Sequence, residues 1–166
     1  LLAGGYGRRL VEIDRNGREL WSLGKATMFV DAERLPDGNT LYCAYDGGRI
    51  VEIDRSGQEI WSYAPEGVRQ LTDADRLPNG NTLLCDDLAN RLLEIDRAGK
   101  VVWEVGTLSR PYEADRLPGG NTIVAEAGAG RVVEIDPKGN VVWSYGGLQE
   151  SHEVDRLPGG NTLICD

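Results

Sequence analysis

The stretch RLLEIDRAGKVVW, running from Arg91 to Trp103, decides the fold. It holds two short segments, one rich in leucine and one in β-branched valine, separated by Asp96-Arg97-Ala98-Gly99. The Asp96 carboxylate can accept a backbone N–H two residues on, so these four residues predict a tight turn between two strands. The pattern returns as RLVEIDRNGRELW from Arg9, RIVEIDRSGQEIW from Arg49 and RVVEIDPKGNVVW from Arg131. The closing tryptophans, Trp21, Trp61, Trp103 and Trp143, are spaced by 40, 42 and 40 residues, and the two-residue expansion falls between Tyr63 and Thr72, where a loop must absorb it.

A second block alternates with the first: ERLPDGNTL from Glu33, DRLPNGNTL from Asp75, DRLPGGNTI from Asp115 and DRLPGGNTL from Asp155. Pro78 suits the first central position of a turn, and Gly80 supplies a position where positive φ costs little. Each repeat therefore predicts four short strands, clearest in the third copy as Asp73–Leu77, Thr82–Asp86, Arg91–Asp96 and Lys100–Val105. Glycine and proline every ten residues or so exclude helical repeats. Four hairpin-linked strands in a period of about 40 residues match one blade of a β-propeller. The expectation is an all-β chain, residues 1–166, with one four-stranded antiparallel blade per repeat.

Aligning Arg9 with Arg49 places Leu1–Gly4 on Leu41–Ala44 and on Leu163–Asp166, so the four repeats carry a four-residue overlap. Three arrangements stay open: a four-blade ring closed by pairing of the terminal strands, two chains sharing a larger ring as a homodimer, and an excerpt of a longer propeller. The lack of an initiating Met suggests a mature product or an excerpt. Cys43, Cys85 and Cys165 share one blade position with Ala3 and Ala125, which marks a small buried packing site.

Eighteen Lys and Arg against 27 Asp and Glu give a net charge of −9. That charge repels phosphate backbones and anionic lipid surfaces, so neither nucleic acid nor membrane is an expected partner. No apolar run approaches the roughly 20 residues of a membrane-spanning helix.

The Arg91–Trp103 pattern resembles the tryptophan-docking repeat of pyrroloquinoline-quinone-type propellers. The segment HEVDRLPGGNTL, His152 to Leu163, resembles the repeats of the arylsulfotransferase family. The second resemblance implies sulfuryl transfer between phenolic compounds through a histidine at the channel mouth, with His152 at the matching position. The first implies a bound quinone with calcium. Both families are commonly exported, which implies an extracytoplasmic location.

In a repeat protein, residues present in every copy are most simply scaffold, and function is expected where one copy departs. The tryptophans are expected to wedge between blades with the indole N–H on a carbonyl. The arginines at 9, 49, 91 and 131 and at 34, 76, 116 and 156 are expected to pair with repeated acids. Asp31, Asp73, Glu113 and Glu153 share one position, and Glu33, Asp75, Asp115 and Asp155 another on the same strand face. Lining a central channel, these acids either bond an Arg or a backbone N–H within their own blade or recruit calcium or magnesium on the axis. Departures gather in the linkers before each first strand: Met28 and Phe29, Pro65 to Gln70, Arg110 to Tyr112, and Gln149 to His152. Phe29, Arg69, Arg110, Tyr112 and His152 are the candidate binding residues, and His152, beside Glu153, is the candidate base or nucleophile. The first functional reading is a non-catalytic propeller that binds a small molecule or a protein at its mouth. The alternative is an arylsulfotransferase-like or quinone-dependent enzyme.

Overall fold

The computed structural model describes residues 2–3, 7–44, 48–68 and 70–166, with 2, 3, 7 and 25–27 described as backbone only. The chain opens with β1 (Leu2–Ala3), β2 (Gly7–Ile13) and the 16-residue β3 (Glu19–Arg34). Strands β4 (Thr40–Ala44), β5 (Arg49–Ile53) and β6 (Glu59–Tyr63) follow. The third repeat forms β7 (Leu71–Arg76), β8 (Thr82–Asp86), β9 (Arg91–Ile95) and β10 (Val101–Val105), and the fourth forms β11 (Pro111–Arg116), β12 (Thr122–Glu126), β13 (Arg131–Ile135) and β14 (Val141–Gly146). A hairpin of β15 (Glu153–Arg156) and β16 (Thr162–Cys165) ends the chain.

Neighbouring strands pair antiparallel in chain order. They form a sheet of β1 to β6, two four-stranded sheets of β7 to β10 and β11 to β14, and the two-stranded β15–β16. The six-stranded sheet is two blades joined through one strand. Residues Glu19 to Gly24 of β3 pair with β2 as an outer strand, while Phe29 to Arg34 pair with β4 as the innermost strand of the next blade. The expected loop at Met28 and Phe29 is therefore strand. Two of the equivalent linkers contain Pro65 and Pro111, which cannot donate to a ladder, and the fourth contains Gly146-Gly147, with Gly147 at a φ of +87°.

A bulge recurs in every outer strand. Glu94 opposes Trp103 while Ile95 opposes Val101, which leaves Val102 as the extra residue. The other three outer strands do the same at Leu20, Ile60 and Val142. These four residues are exposed, so the bulge turns an apolar side chain outward and keeps the tryptophan aimed at the next blade.

The core lies between blades. Leu83, Cys85, Leu92 and Val105 of one blade pack on Ala114, Val124, Val133 and Ile135 of the next. Leu41, Cys43 and Ile50 meet Leu71, Ala74 and Leu84 in the same way. Cys43 and Cys85 are buried there, whereas Cys165 is exposed.

Polar joints lock these faces. The indole N–H of Trp21 donates to the Arg55 carbonyl at 2.9 Å, that of Trp61 to Arg97 at 3.0 Å and that of Trp103 to Pro137 at 2.9 Å, each time in the outer turn of the following blade. The guanidinium of Arg34 lies 4.7 Å from the Trp21 ring centre, and Arg76, Arg116 and Arg156 cover Trp61, Trp103 and Trp143 at 4.8, 4.7 and 5.1 Å. Each arginine also pairs with a glutamate of the preceding blade: Glu12, Glu52, Glu94 and Glu134, at 2.8, 3.0, 2.8 and 2.8 Å. The same glutamates, where the blade is complete, accept an amide N–H from the turn of their own blade, from Asn39, Asn81 and Asn121.

The axial acids reach across blades, where a bond within their own blade was expected; Asp31 alone of them also takes an N–H of its own strand, that of Ala32. Asp73 accepts the Ala114 N–H at 3.0 Å, Glu33 the Arg76 N–H at 3.0 Å, Asp31 the Ala74 N–H and Glu113 the Val154 N–H. Innermost strands keep every other side chain on the axis, so each acid meets the N–H of the next strand. Burial is the main cause that raises these carboxyls, Asp31 to about 6 and both Asp75 and Glu113 to about 8, and neighbouring carboxylates push the same way. Asp73 is also held well up by burial and then by Asp75. Side-chain hydrogen bonds join Asp31 to Asp73 and Asp75 to Asp115, the first lowering Asp31 and the second raising Asp75 while lowering Asp115.

Two predictions follow from these joints. Replacing Trp103 with Phe removes one indole hydrogen bond while keeping most of the ring, and should lower unfolding free energy by about 1 kcal/mol in a denaturant titration. The axial carboxyls make stability fall as pH rises. The folded chain keeps protons on Asp75 and Glu113 up to about 8, whereas the unfolded chain releases them near the ordinary 3.8 and 4.5. Their contribution is full below those ordinary values and lost as pH climbs through the folded ones. Asp54 and Asp136, lowered by hydrogen bonds from Ser56 and Asn140 respectively, act oppositely, and only at more acid pH. The urea midpoint should be lower at about pH 9 than at about pH 5, and Asp75→Asn should narrow the gap. A midpoint that rises over this range contradicts the burial of these acids.

Candidate functional site

Linkers that precede the innermost strands lie at one end of the blades, strapped to the connections between second and third strands. Those connections are single 3-10 turns, Asp87–Ala89 and Ala127–Ala129. The Asp87 N–H donates to the Gln70 carbonyl at 3.0 Å, and the Ala127 N–H to Arg110 at 3.0 Å. The Leu148 N–H donates to the Gly130 carbonyl at 3.0 Å. Gly130 has a φ of +56°, and a Cβ there would sit 2.3 Å from the Leu148 carbonyl oxygen, so only glycine permits this strap.

Three of the candidate residues come together on this end. Arg110 adopts a φ of +50°, uncommon for a residue with a side chain. Its N–H donates to Asn90 Oδ1 at 2.9 Å, and its guanidinium holds the buried Asp87 carboxylate at 3.0 and 3.4 Å. That hydrogen bond and the Asp87 charge raise the Arg110 pKa further above its ordinary value. A second carboxylate, Glu150, stands 3.6 Å from the same guanidinium and 3.8 Å from His152 Nε2. The His152 ring lies 4.5 Å from the Tyr112 ring at an angle of 53°. Arg110, Glu150 and His152 are each about half exposed. The cluster thus bridges the third blade through Asp87, the fourth through Arg110 and Tyr112, and the C-terminal hairpin through Glu150 and His152.

The other candidates separate from it. Phe29 is fully buried and meets Tyr42 edge-on at 5.0 Å, because its backbone pairs in β3 and turns the side chain into the core. Its side chain therefore faces the core and not the linker surface where binding was expected. Arg69 lies outside the described residues. Asp31, Asp73 and Glu113 lie on the axis with their oxygens on the backbone N–H groups described above, whereas Glu153 is exposed on β15. Among the described residues no group of three or more His, Cys, Asp and Glu side chains is arranged to hold a metal ion.

Sequence reading missed Asp87 and Asn90, and singled out the Gln149 to His152 linker without naming Glu150 in it. A signal existed for the first, since Asp86-Asp87 occupies the place of Glu126-Ala127, a departure as marked as those in the linkers. The guanidinium and rings of the cluster are oriented by the fold and partly open.

A family model described as outer membrane protein assembly factor BamB matches residues 6–159. No curated protein matches the chain. Among solved structures, a protein of unknown function from Bacteroides caccae superposes with a TM-score of 0.77 at 22% identity, covering 98% of this chain and 63% of that one. The WD40 β-propeller domain of Doa1 superposes with a TM-score of 0.75 at 15% identity, covering 89% and 51%. Virginiamycin B lyase from Staphylococcus aureus gives 0.69 at 16%, covering 90% and 53%. The chain spans about half to five-eighths of these structures, and at such identities they show the fold alone. No helix among the described residues is long and apolar enough to cross a membrane. With the blade repeat, the tryptophan joints and a family match over nearly its whole length, the chain belongs to the BamB family of outer membrane protein assembly factors, built from pyrroloquinoline-quinone-type propeller repeats.

Proposed function

We propose that this chain is a non-catalytic protein-binding propeller whose mouth cluster of Arg110, Tyr112, Glu150 and His152 receives a segment of another protein. The observation that carries this reading is Arg110, held at positive φ by Asn90 and aimed by a buried carboxylate, next to the Tyr112–His152 ring pair. Backbone strain of this kind persists where surrounding contacts over-determine it. Arginine and tyrosine are the side chains most often found to dominate protein interfaces. The family's description as an assembly factor agrees with a protein rather than a small molecule as the occupant.

The test is selection of random-sequence peptides on the wild-type chain, followed by affinity measurement on variants. Peptides that bind the mouth should lose roughly 30-fold in affinity on Tyr112→Ala or Arg110→Ala, and little on Ile60→Ser at the outer rim. Peptides that bind with no sensitivity to the mouth variants would count against the reading. Turnover of a phenolic sulfate by the unmodified protein, abolished by His152→Ala, would instead support the transferase alternative.

A further inference from the structure

At the end of the blades opposite the mouth, each blade presents two turns, an inner one between its first two strands and an outer one between its last two. The outer turn covers the inner one. In the second blade a Cβ on Gly38 of the inner turn would stand 3.8 Å from Arg55 Nε of the outer turn, and in the fourth a Cβ on Gly120 would stand 3.9 Å from Pro137 Cγ. The third blade departs from this. A Cβ on Gly80 would meet nothing within 4 Å, since Arg97, the counterpart of Arg55 and Pro137, reaches back to the second blade. There its Nη1 donates to the Glu52 carboxylate, and its guanidinium lies 5.4 Å from the Trp61 ring centre. The space left open is a cavity of about 320 Å³, walled by Leu35, Pro36 and Asp37 of the second blade and by Gly80 and Arg97 of the third.

Charges around this cavity are not paired one to one. Glu52, whose side chain is 2% exposed, serves two guanidiniums, Arg76 at 3.0 Å and Arg97, whereas Glu94 and Glu134 each pair with a single arginine among the described residues. Burial and then the Arg97 charge hold the Arg76 guanidinium below its ordinary pKa, so positive charge is in excess on that side. Arg97 is half exposed, and among the described residues its Nε and Nη2 donate to no acceptor. Facing it is a second departure from the repeat: Asp37 stands where the other copies have Asn79, Gly119 and Gly159. The Asp37 carboxylate accepts the backbone N–H and the side-chain amide of Asn39, each at 2.9 Å, and no cation pairs with it among the described residues. One blade therefore offers the cavity a spare negative charge, and the next a spare positive one.

We propose that this interblade cavity binds a small zwitterion of the α-amino acid type, with its carboxylate on Arg97 and its ammonium on Asp37. The two wall charges select the class. A simple anion would meet Asp37 as a like charge and a simple cation would meet Arg97, whereas a molecule carrying both groups meets each with its opposite. The planar guanidinium fork matches a carboxylate in particular. Leu35 and Pro36 supply an apolar wall for the guest's side chain. A volume of about 320 Å³ lies at the small end for ligand sites, which limits the guest to an amino acid or a dipeptide. The site shares no residue with the mouth, so it stands whether or not the mouth binds a protein.

The experiment is a thermal-shift screen of the 166-residue chain against the common α-amino acids, each at about 10 mM, with calorimetric titration of those that raise the midpoint. At least one should bind. Two variants borrow residues from the chain's own repeats and so keep the turn chemistry: Arg97→Pro copies Pro137, and Asp37→Asn copies Asn79. Each should weaken binding about tenfold or more, while Arg110→Ala at the mouth should leave it unchanged. Circular dichroism checks that both variants keep their strands. The amine lacking the guest's carboxylate, and the acid lacking its ammonium, should each bind about tenfold more weakly than the guest itself. A chain whose midpoint no amino acid moves, a guest indifferent to Arg97→Pro and Asp37→Asn, or an amine or acid that binds as tightly as the zwitterion would each overturn the proposal.

Discussion

An arginine lying over the tryptophan of the blade behind it, with its guanidinium on a glutamate of that same blade, is the joint on which this structure depends. A buried ion pair alone gives little net stability, because the cost of desolvating two charges offsets their attraction. Here the glutamates of complete blades also take an asparagine amide, and Glu52 takes Arg97 as well, so the carboxylate is left with few unmet needs. Losing one partner would strand a charge in a dry place, which is why the joint acts as a register device. It allows one relative placement of neighbouring blades and penalises the others.

That placement reaches inward. Once the arginine at the end of an innermost strand is fixed on the blade before it, the two acids earlier in the same strand stand beside the N–H groups of the following strand. Asp73 meets Ala114 and Glu113 meets Val154 by the same geometry. Burial, with the neighbouring carboxylates pushing the same way, raises Asp31, Asp75 and Glu113 and so disfavours their charged forms. The channel lining is thus a set of staples, and its acidity in the sequence overstates the charge it carries at neutral pH.

The blades were legible in the sequence because their information is local and repeated. Asp96-Arg97-Ala98-Gly99 and Leu77-Pro78-Asn79-Gly80-Asn81 announce turns by chemistry alone, and copying them four times converts a weak signal into an architecture. Two things escaped. The fusion of two blades through β3 occurs at a linker with neither the proline of the second and third linkers nor the Gly146-Gly147 pair of the fourth, differences that the repeat alignment treats as neutral. The partners of Arg110 escaped because Asp87 and Asn90 lie 23 and 20 residues away, in a connection whose 3-10 turn brings it beside the linker. Phe29 looked like a departure at the mouth, and was one in sequence. In the fold it became core, since a strand in place of a loop reverses where a side chain points.

Division of labour between copies explains why the mouth is where distinct chemistry can accumulate. Residues of the joint are constrained by the neighbouring blade, so a change there is felt in both blades. The linkers are constrained only by backbone straps, such as Leu148 on Gly130 and Ala127 on Arg110, which ask nothing of most side chains. Arg110, Tyr112 and His152 therefore differ from their counterparts at no cost to the blades. What holds them in place is borrowed from the scaffold: a carboxylate buried under the 3-10 turn, an asparagine in the left-handed region, and an innermost strand stapled on both sides. A surface assembled in this way inherits the rigidity of the blades while its composition stays free to vary.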